Sequence, residues 1–204
     1  MALRLLLLVL LITAPSFVGA QATKLDTNYY AVGVQSATFQ MVVSPKVRGR
    51  QAQTNWCWAA VGQMALDYLG YSVTQEDLVR TLFGTDVNRP ATGDEIIYAL
   101  SNWYRQSGHG SLVTYAEYIR EPADLYHELA ADRPVIVGFD SHAYLLTAMF
   151  YSYDAAGERL PHKLVLRDPW PGRPSRQELG WHEFVANDLT MIRVNVRRQP
   201  DGRN

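Results

Sequence analysis

The apolar residues of this chain recur with two different periods, and the change between them constrains the fold more than any other feature. Up to about Ala131 the spacing is helical. Val61, Met64, Ala65, Tyr68 and Leu69 fall three to four apart within Cys57–Leu69. Thr54 or Asn55 is placed to cap the start of that segment and Gly70 to end it. Thr74 with Asp77, and Thr92 with Glu95, have the spacing of capping boxes. They open helices that carry Leu78, Val79, Leu82 and Phe83, then Ile96, Ile97, Leu100, Trp103 and Tyr104. Glu121-Pro122 starts a further helix through about Ala131, with Leu125 and Leu129 inward. From Pro134 onward the pattern is that of strands: Pro134–Phe139, a long one from His142 to Tyr153, a turn at Asp154–Gly157, a return at Lys163–Arg167, and Leu189–Val196. Helices first and antiparallel strands afterwards predict an α+β domain of two lobes and argue against alternating βαβ units.

The segment before the first helix is less patterned. Gln21 to about Tyr30 is polar and reads as loosely ordered, Ala37–Val43 reads as a strand, and Val47–Thr54 as a polar loop. Earlier still, Arg4 precedes eight aliphatic residues (Leu5–Ile12), and Val18-Gly19-Ala20 supplies a small-residue ending. This is the three-part pattern of a secretory signal, with cleavage expected after Ala20. Localisation is therefore expected to be exported, periplasmic or secreted, with no membrane association after cleavage. The organisation expected is 1–20 signal peptide, 21–36 short N-terminal extension and 37–204 a single folded domain.

Composition matters here chiefly for what it excludes. The 204 residues carry 19 Lys+Arg against 20 Asp+Glu, a net charge of −1. That removes the electrostatic footprint of a dedicated nucleic-acid binder. There is one cysteine, Cys57, so no intrachain disulfide, iron–sulfur cluster or multi-cysteine zinc site can form. No His-Glu-x-x-His motif is present, and no metal or other cofactor is expected. An exported protein would ordinarily pair its cysteines. A single thiol has either a chemical task or a buried, inert place.

The surroundings of Cys57 favour chemistry. It stands in Gln51-Ala-Gln-Thr-Asn-Trp-Cys57-Trp-Ala-Ala60, at the first turn of the predicted helix. Free N–H groups and the positive end of the helix dipole stabilise a thiolate there. A thiolate nucleophile needs a base and a group that orients it. Of five histidines, His109, His127, His162 and His182 lie in loops or on a polar helix face. His142 opens the long strand, at the end of an apolar sheet. Asp168, in Arg167-Asp-Pro-Trp-Pro-Gly172, ends the strand that returns beside it. Antiparallel strands joined by a turn can set the two side by side.

Together, Gln51, Asn55-Trp-Cys-Trp-Ala-Ala60, His142 in Ser-His-Ala and the Asp168-Pro-Trp170-Pro-Gly turn resemble papain-like cysteine peptidases, in particular their compact bacterial C39/C70-like branch. The resemblance covers roughly Met41 to Val196. It implies a papain-like two-lobed α+β fold, with a helical N-terminal lobe holding the Cys helix and a C-terminal antiparallel sheet lobe. It implies that Cys57 attacks as thiolate, His142 forms its ion pair and Asp168 holds the imidazole. The oxyanion would be held by the Cys57 backbone N–H and the Gln51 amide, with Gln53 as the alternative donor. Trp170 would shield the His–Asp pair, and Trp58 would pack beside the site. The implied partner is a peptide or protein substrate.

There are departures. The Cys57-to-His142 gap is 85 residues, against about 130–150 in papain relatives. Thr54 stands where papain's first motif cysteine would be. Only about thirty residues separate Ala20 from Gln51, so restraint by a protein inhibitor, an immunity partner or export is expected in place of a long prodomain. The same three residues would also serve a peptidoglycan amidase or endopeptidase, or an acyl transferase. A non-catalytic binding module with this fold is the third alternative.

Overall fold

A computed structural model describes residues 22–35, 49–108 and 110–199. The expected signal peptide, the expected strand at Ala37–Val43 and His109 lie outside these residues. The described chain forms nine strands and five α-helices. The helical lobe contains α1 (Cys57–Tyr68), α2 (Gln75–Phe83) and α3 (Gly93–Leu100). A short helix α4 (Leu125–Ala130) follows a 3₁₀ turn at Pro122–Asp124.

The sheet is antiparallel throughout and organised around β6 (His142–Tyr153). One edge of β6 is shared. Its first half pairs with β5 (Val135–Phe139) and its second half with β2 (Tyr29–Gly33). The other edge pairs with β7 (Arg159–Arg167), which in turn pairs with β8 (Arg176–Gly180). Beyond β5 come β9 (Thr190–Gln199), β4 (Gly110–Tyr118) and β3 (Tyr104–Ser107). The remaining elements are β1 (Thr23–Asp26) and α5 (Trp181–Val185).

Several expectations are corrected. The stretch expected to be loosely ordered is, in its described residues from 22 onward, ordered: β1 and β2 form a hairpin whose second strand joins β6, with Tyr30 opposite Tyr151 and Val32 opposite Met149. The close approach needs Gly33, where a Cβ would stand 2.6 Å from the Thr147 carbonyl oxygen. The order is not helices and then strands alone, because the β3–β4 hairpin is inserted between α3 and α4. β8 and α5 fill a stretch in which no element was expected. Both capping boxes form, at Thr74/Asp77 and Thr92/Glu95. The start of α1, however, takes no side-chain cap from Thr54 or Asn55: Trp56 is the N-cap residue and no side-chain cap bond is made.

α1 is buried along its length from Trp58 to Asp67. A helix with so little polar surface belongs in a core, and α1 lies against β5 and β6 on one side and α2 and α3 on the other. Leu145, Leu146 and Val137 from the sheet meet Val61, Met64 and Ala65 from the helix in one apolar cluster. Cutting a fully buried leucine such as Leu145 to alanine costs about 2–5 kcal/mol. This packing fixes the head of α1 over the His142 end of β6.

Candidate active site

The approach to Cys57 is a tight turn held from outside. Trp56 N–H donates to the Gln53 carbonyl at 3.1 Å. Asn88, from the loop between α2 and α3, accepts from the Asn55 N–H through Oδ1 at 2.9 Å and donates to Thr54 Oγ1 at 2.8 Å. The indole N–H groups of Trp56 and Trp58 donate to the carbonyls of Val87 and Arg89. Thr54 and Asn55 are thus occupied with the loop and not with capping. Trp58 is buried, edge-on to Phe83, and lines the cavity beside Cys57.

His142 is delivered by a two-residue hairpin. Phe139 pairs with His142, and the residues between, Asp140 and Ser141, have φ of 49° and 58°. Two left-handed residues make the tightest turn compatible with strand twist. Glycine or asparagine is the usual choice there, and non-glycine residues in that region carry strain of the kind found at functional sites. The imidazole lies edge-on to Tyr144 at 4.6 Å and to Trp170 at 6.3 Å between ring centres.

Asp168 follows the last residue of β7, and its side chain is fully buried. His142 Nε2 lies 2.9 Å from Asp168 Oδ1. The Trp170 N–H donates to the same oxygen at 2.8 Å. With Nε2 committed to Asp168, Nδ1 is the ring nitrogen left for Cys57, which shares a cavity wall with His142. The structure therefore brings Cys57, His142 and Asp168 together from both lobes, with His142 hydrogen-bonded to Asp168 and facing the cavity that Cys57 lines.

The charges follow from this placement. Burial pushes the Cys57 thiol up, but the His142 hydrogen bond, the Ala143 N–H, the imidazolium charge and the Trp58 N–H together bring it below its ordinary value. Burial works against a charged His142 as well. Hydrogen bonds to Asp168 and Cys57, and their negative charges, overcome it and push the imidazole up to about 9. Asp168, despite burial, is held below the usual carboxylate range by His142, the Trp170 N–H and Arg173. The arrangement favours thiolate beside imidazolium near neutral pH.

Gln51 is buried and tied to the Asp168 turn by its own N–H, which donates to the Pro169 carbonyl at 2.9 Å. Its side-chain Nε2 donates to the carbonyls of Gln53 and Thr54 at 2.9 and 2.8 Å. In this arrangement the amide braces the turn before Cys57. The side chain of Gln53 is exposed. Trp170 is 38% exposed and, with Gln51, Gln53 and Thr54, lines a hollow of about 280 Å³. On the other side lies a cavity of about 500 Å³ whose wall includes Cys57 and His142. Ile96, Ile136, Phe139 and Ile192 make it apolar, Ala91, Gly93 and Gly138 make it roomy, and Asp140 and Asp188 stand in its lining.

Three contributors were not legible beforehand. The Ala143 N–H, on β6, helps bring the Cys57 thiol down. Arg50 Nη1 donates to the carbonyls of Asp168, Trp170 and Arg173 at 3.2, 2.8 and 3.0 Å, gathering the turn that carries Asp168. Gln177 Nε2 donates to Asp168 Oδ2 at 2.5 Å. The sequence marks only a polar loop around Arg50, and no pattern marks Gln177. His127 and His182 are exposed. His162 is not in a loop: it lies in β7, bonded to the Ser152 hydroxyl and stacked on Tyr29. Among the described residues no group of His, Cys, Asp or Glu is arranged to hold a metal ion, and no helix is long and apolar enough to cross a membrane.

A cysteine with a lowered pKa at a helix head, with an imidazole and a buried carboxylate at the ends of two neighbouring strands, defines the arrangement of a thiol hydrolase. The sequence model of the Peptidase_C39 like family matches residues 34–187, and the chain belongs to that family. It is a papain-like cysteine peptidase, a hydrolase acting on a peptide or protein substrate. Among solved structures it is similar to the peptidase domain of Streptococcus ComA, a bi-functional ABC transporter involved in a quorum-sensing pathway. That likeness has 18% identity and a TM-score of 0.49, over 74% of this chain and 96% of that one. UfSP from C. elegans is similar at 12% identity and a TM-score of 0.45, over 90% of this chain and 35% of that one. No curated protein matches the sequence.

Proposed function

We propose that the protein is an exported thiol peptidase in which Cys57, His142 and Asp168 act together through a thioester acyl-enzyme. The observation that carries this reading is the His142–Asp168 hydrogen bond, with His142 and Cys57 in the wall of one open cavity. The thiolate attacks the scissile carbonyl carbon, and negative charge moves to the carbonyl oxygen. The backbone N–H of Cys57, which as the first residue of α1 has no acceptor within the helix, supports that charge. The Gln51 amide is the second donor in this reading, and it must release one of its two carbonyl partners to act. As the C–N bond breaks, His142 passes its proton to the leaving amine. Water then attacks the thioester with His142 as base; the C–S bond breaks, the carboxylic acid is released and the thiolate–imidazolium pair is restored. Asp168 stays ionised throughout, holding the imidazole and offsetting its charge. Export rests on the Arg4, Leu5–Ile12 and Val18-Gly19-Ala20 pattern.

The test is turnover of casein by the mature chain, with mass spectrometry of a quenched reaction to trap an acyl group on Cys57. Casein cleavage that is abolished in Cys57→Ala is the expected result. Turnover of purified cell-wall sacculi with casein untouched would replace this reading with an amidase one. Turnover of neither, with no acyl group on Cys57, would overturn it.

A further inference from the structure

β8 alternates. Arg176, Glu178 and Gly180 are exposed, while Gln177 and Leu179 lie on the inward row. Leu179 packs against the apolar core, as the period of a strand requires. Gln177 is the polar member of that row, and its place has a single visible reason. Opposite Leu166 in the β7–β8 ladder, it reaches the far oxygen of Asp168.

The Asp168 carboxylate can be accounted for atom by atom. Oδ1 faces His142 Nε2 and the Trp170 N–H. Oδ2 accepts from Gln177 Nε2 at 2.5 Å, and Arg173 Nη1 stands further off at 3.8 Å, with its side chain 58% exposed. A fully buried carboxylate with a free oxygen has two poor alternatives: to leave a charged acceptor unmet, or to turn and release the imidazole. We propose that Gln177 is a positioning residue of the peptidase site, fixing the rotation of the Asp168 carboxylate so that Oδ1 stays on His142. It acts through Asp168 and does not touch the reacting atoms. The inference rests on the proposed roles of Cys57, His142 and Asp168.

Two variants and two readouts test it. Gln177→Leu keeps the volume and removes the donor. Its kcat is expected to fall about ten-fold or more, as for loss of a hydrogen bond to a charged group, with KM within about two-fold. Gln177→Glu can donate only while protonated. Its activity relative to wild type is therefore expected to be retained at acid pH and lost as pH rises and the new carboxyl ionises against Asp168. A residue that merely packs β8 would lower the melting temperature and leave the pH profile unchanged. If the profile of Gln177→Glu superimposes on that of the wild type, the proposal is overturned, and this holds even if Gln177→Leu fails to fold. Iodoacetamide labelling of Cys57 in the wild-type protein separates the two failures. Slow labelling at pH 6 overturns the underlying ion pair. Fast labelling with indifferent Gln177 variants overturns the role of Gln177 alone.

Discussion

The three helices of the helical lobe begin in two ways. α2 and α3 are closed by complete capping boxes, Thr74 with Asp77 and Thr92 with Glu95, and each has two acidic residues in its first turn. α1 has neither a side-chain cap nor an acidic residue in its first turn. Caps are worth about 1 kcal/mol each, so α1 forgoes stability that its neighbours take. In exchange its N-terminal N–H groups and dipole are left to the sulfur of Cys57 and to charge that develops near it. A carboxylate at that end would compete for the same donors and, as a like charge, push the thiol back up. The closed starts hold the lobe together, while in the proposed mechanism the open one serves the chemistry.

The largest effect that probes this contrast is loss of the nucleophile. Cys57→Ala should abolish casein turnover to within background, a fall on the order of 10³-fold or more, while the melting temperature stays near wild type. Asp168→Asn should lower kcat on the order of 10²- to 10⁴-fold, because the amide selects the wrong imidazole tautomer. The pH profile comes next. His142 is raised to about 9 and Cys57 is lowered, so kcat/KM should be level across neutral pH and fall as pH rises through about 9 and the imidazolium loses its proton. On the acid side it should fall where the thiolate is protonated.

The two smallest effects address the helix starts directly. Gln53→Glu adds an exposed carboxylate within a turn of the open start of α1. It should slow iodoacetamide labelling of Cys57 on the acid limb of its pH profile, below the level region, by about two- to five-fold, the size of a dipole-end charge effect. Thr74→Ala removes the cap of α2. It should lower stability by about 1 kcal/mol in denaturant titration and leave the labelling rate of Cys57 unchanged. If Thr74→Ala slows labelling as much as Gln53→Glu does, the division between closed and open starts is wrong.

What could be read from the sequence follows the same division. The capping boxes were legible because each is local, four residues that satisfy one another. β6 was legible to its ends, His142 and Tyr153, because it is long, apolar and bounded by turns. Cys57, His142 and Asp168 could be picked out because each stands at an element boundary. The β1–β2 hairpin was not legible: Thr23–Asp26 is exposed at every position, and β2 gains its stability from Phe150 and Met149, well over a hundred residues away. The polar strands β3 and β8 were missed for the same reason, since their pairing is tertiary. Gln177 and Arg50 have meaning only through Asp168 and its turn, so nothing near them in the chain announces it. The missing cap of α1 was mistaken for a filled one because Thr54 and Asn55 are good capping types. Asn88, from a separate loop, holds both.

The central claim is that Cys57 exists as a thiolate paired with His142. The rate of iodoacetamide labelling of Cys57 as a function of pH, in wild type and in His142→Ala, measures this without a substrate. The account predicts fast labelling of the wild-type protein already at pH 6, level up to pH 8, and an ordinary thiol titration in His142→Ala. A wild-type rate that rises with pH as for a free thiol, with a midpoint near about 8.5, would contradict it.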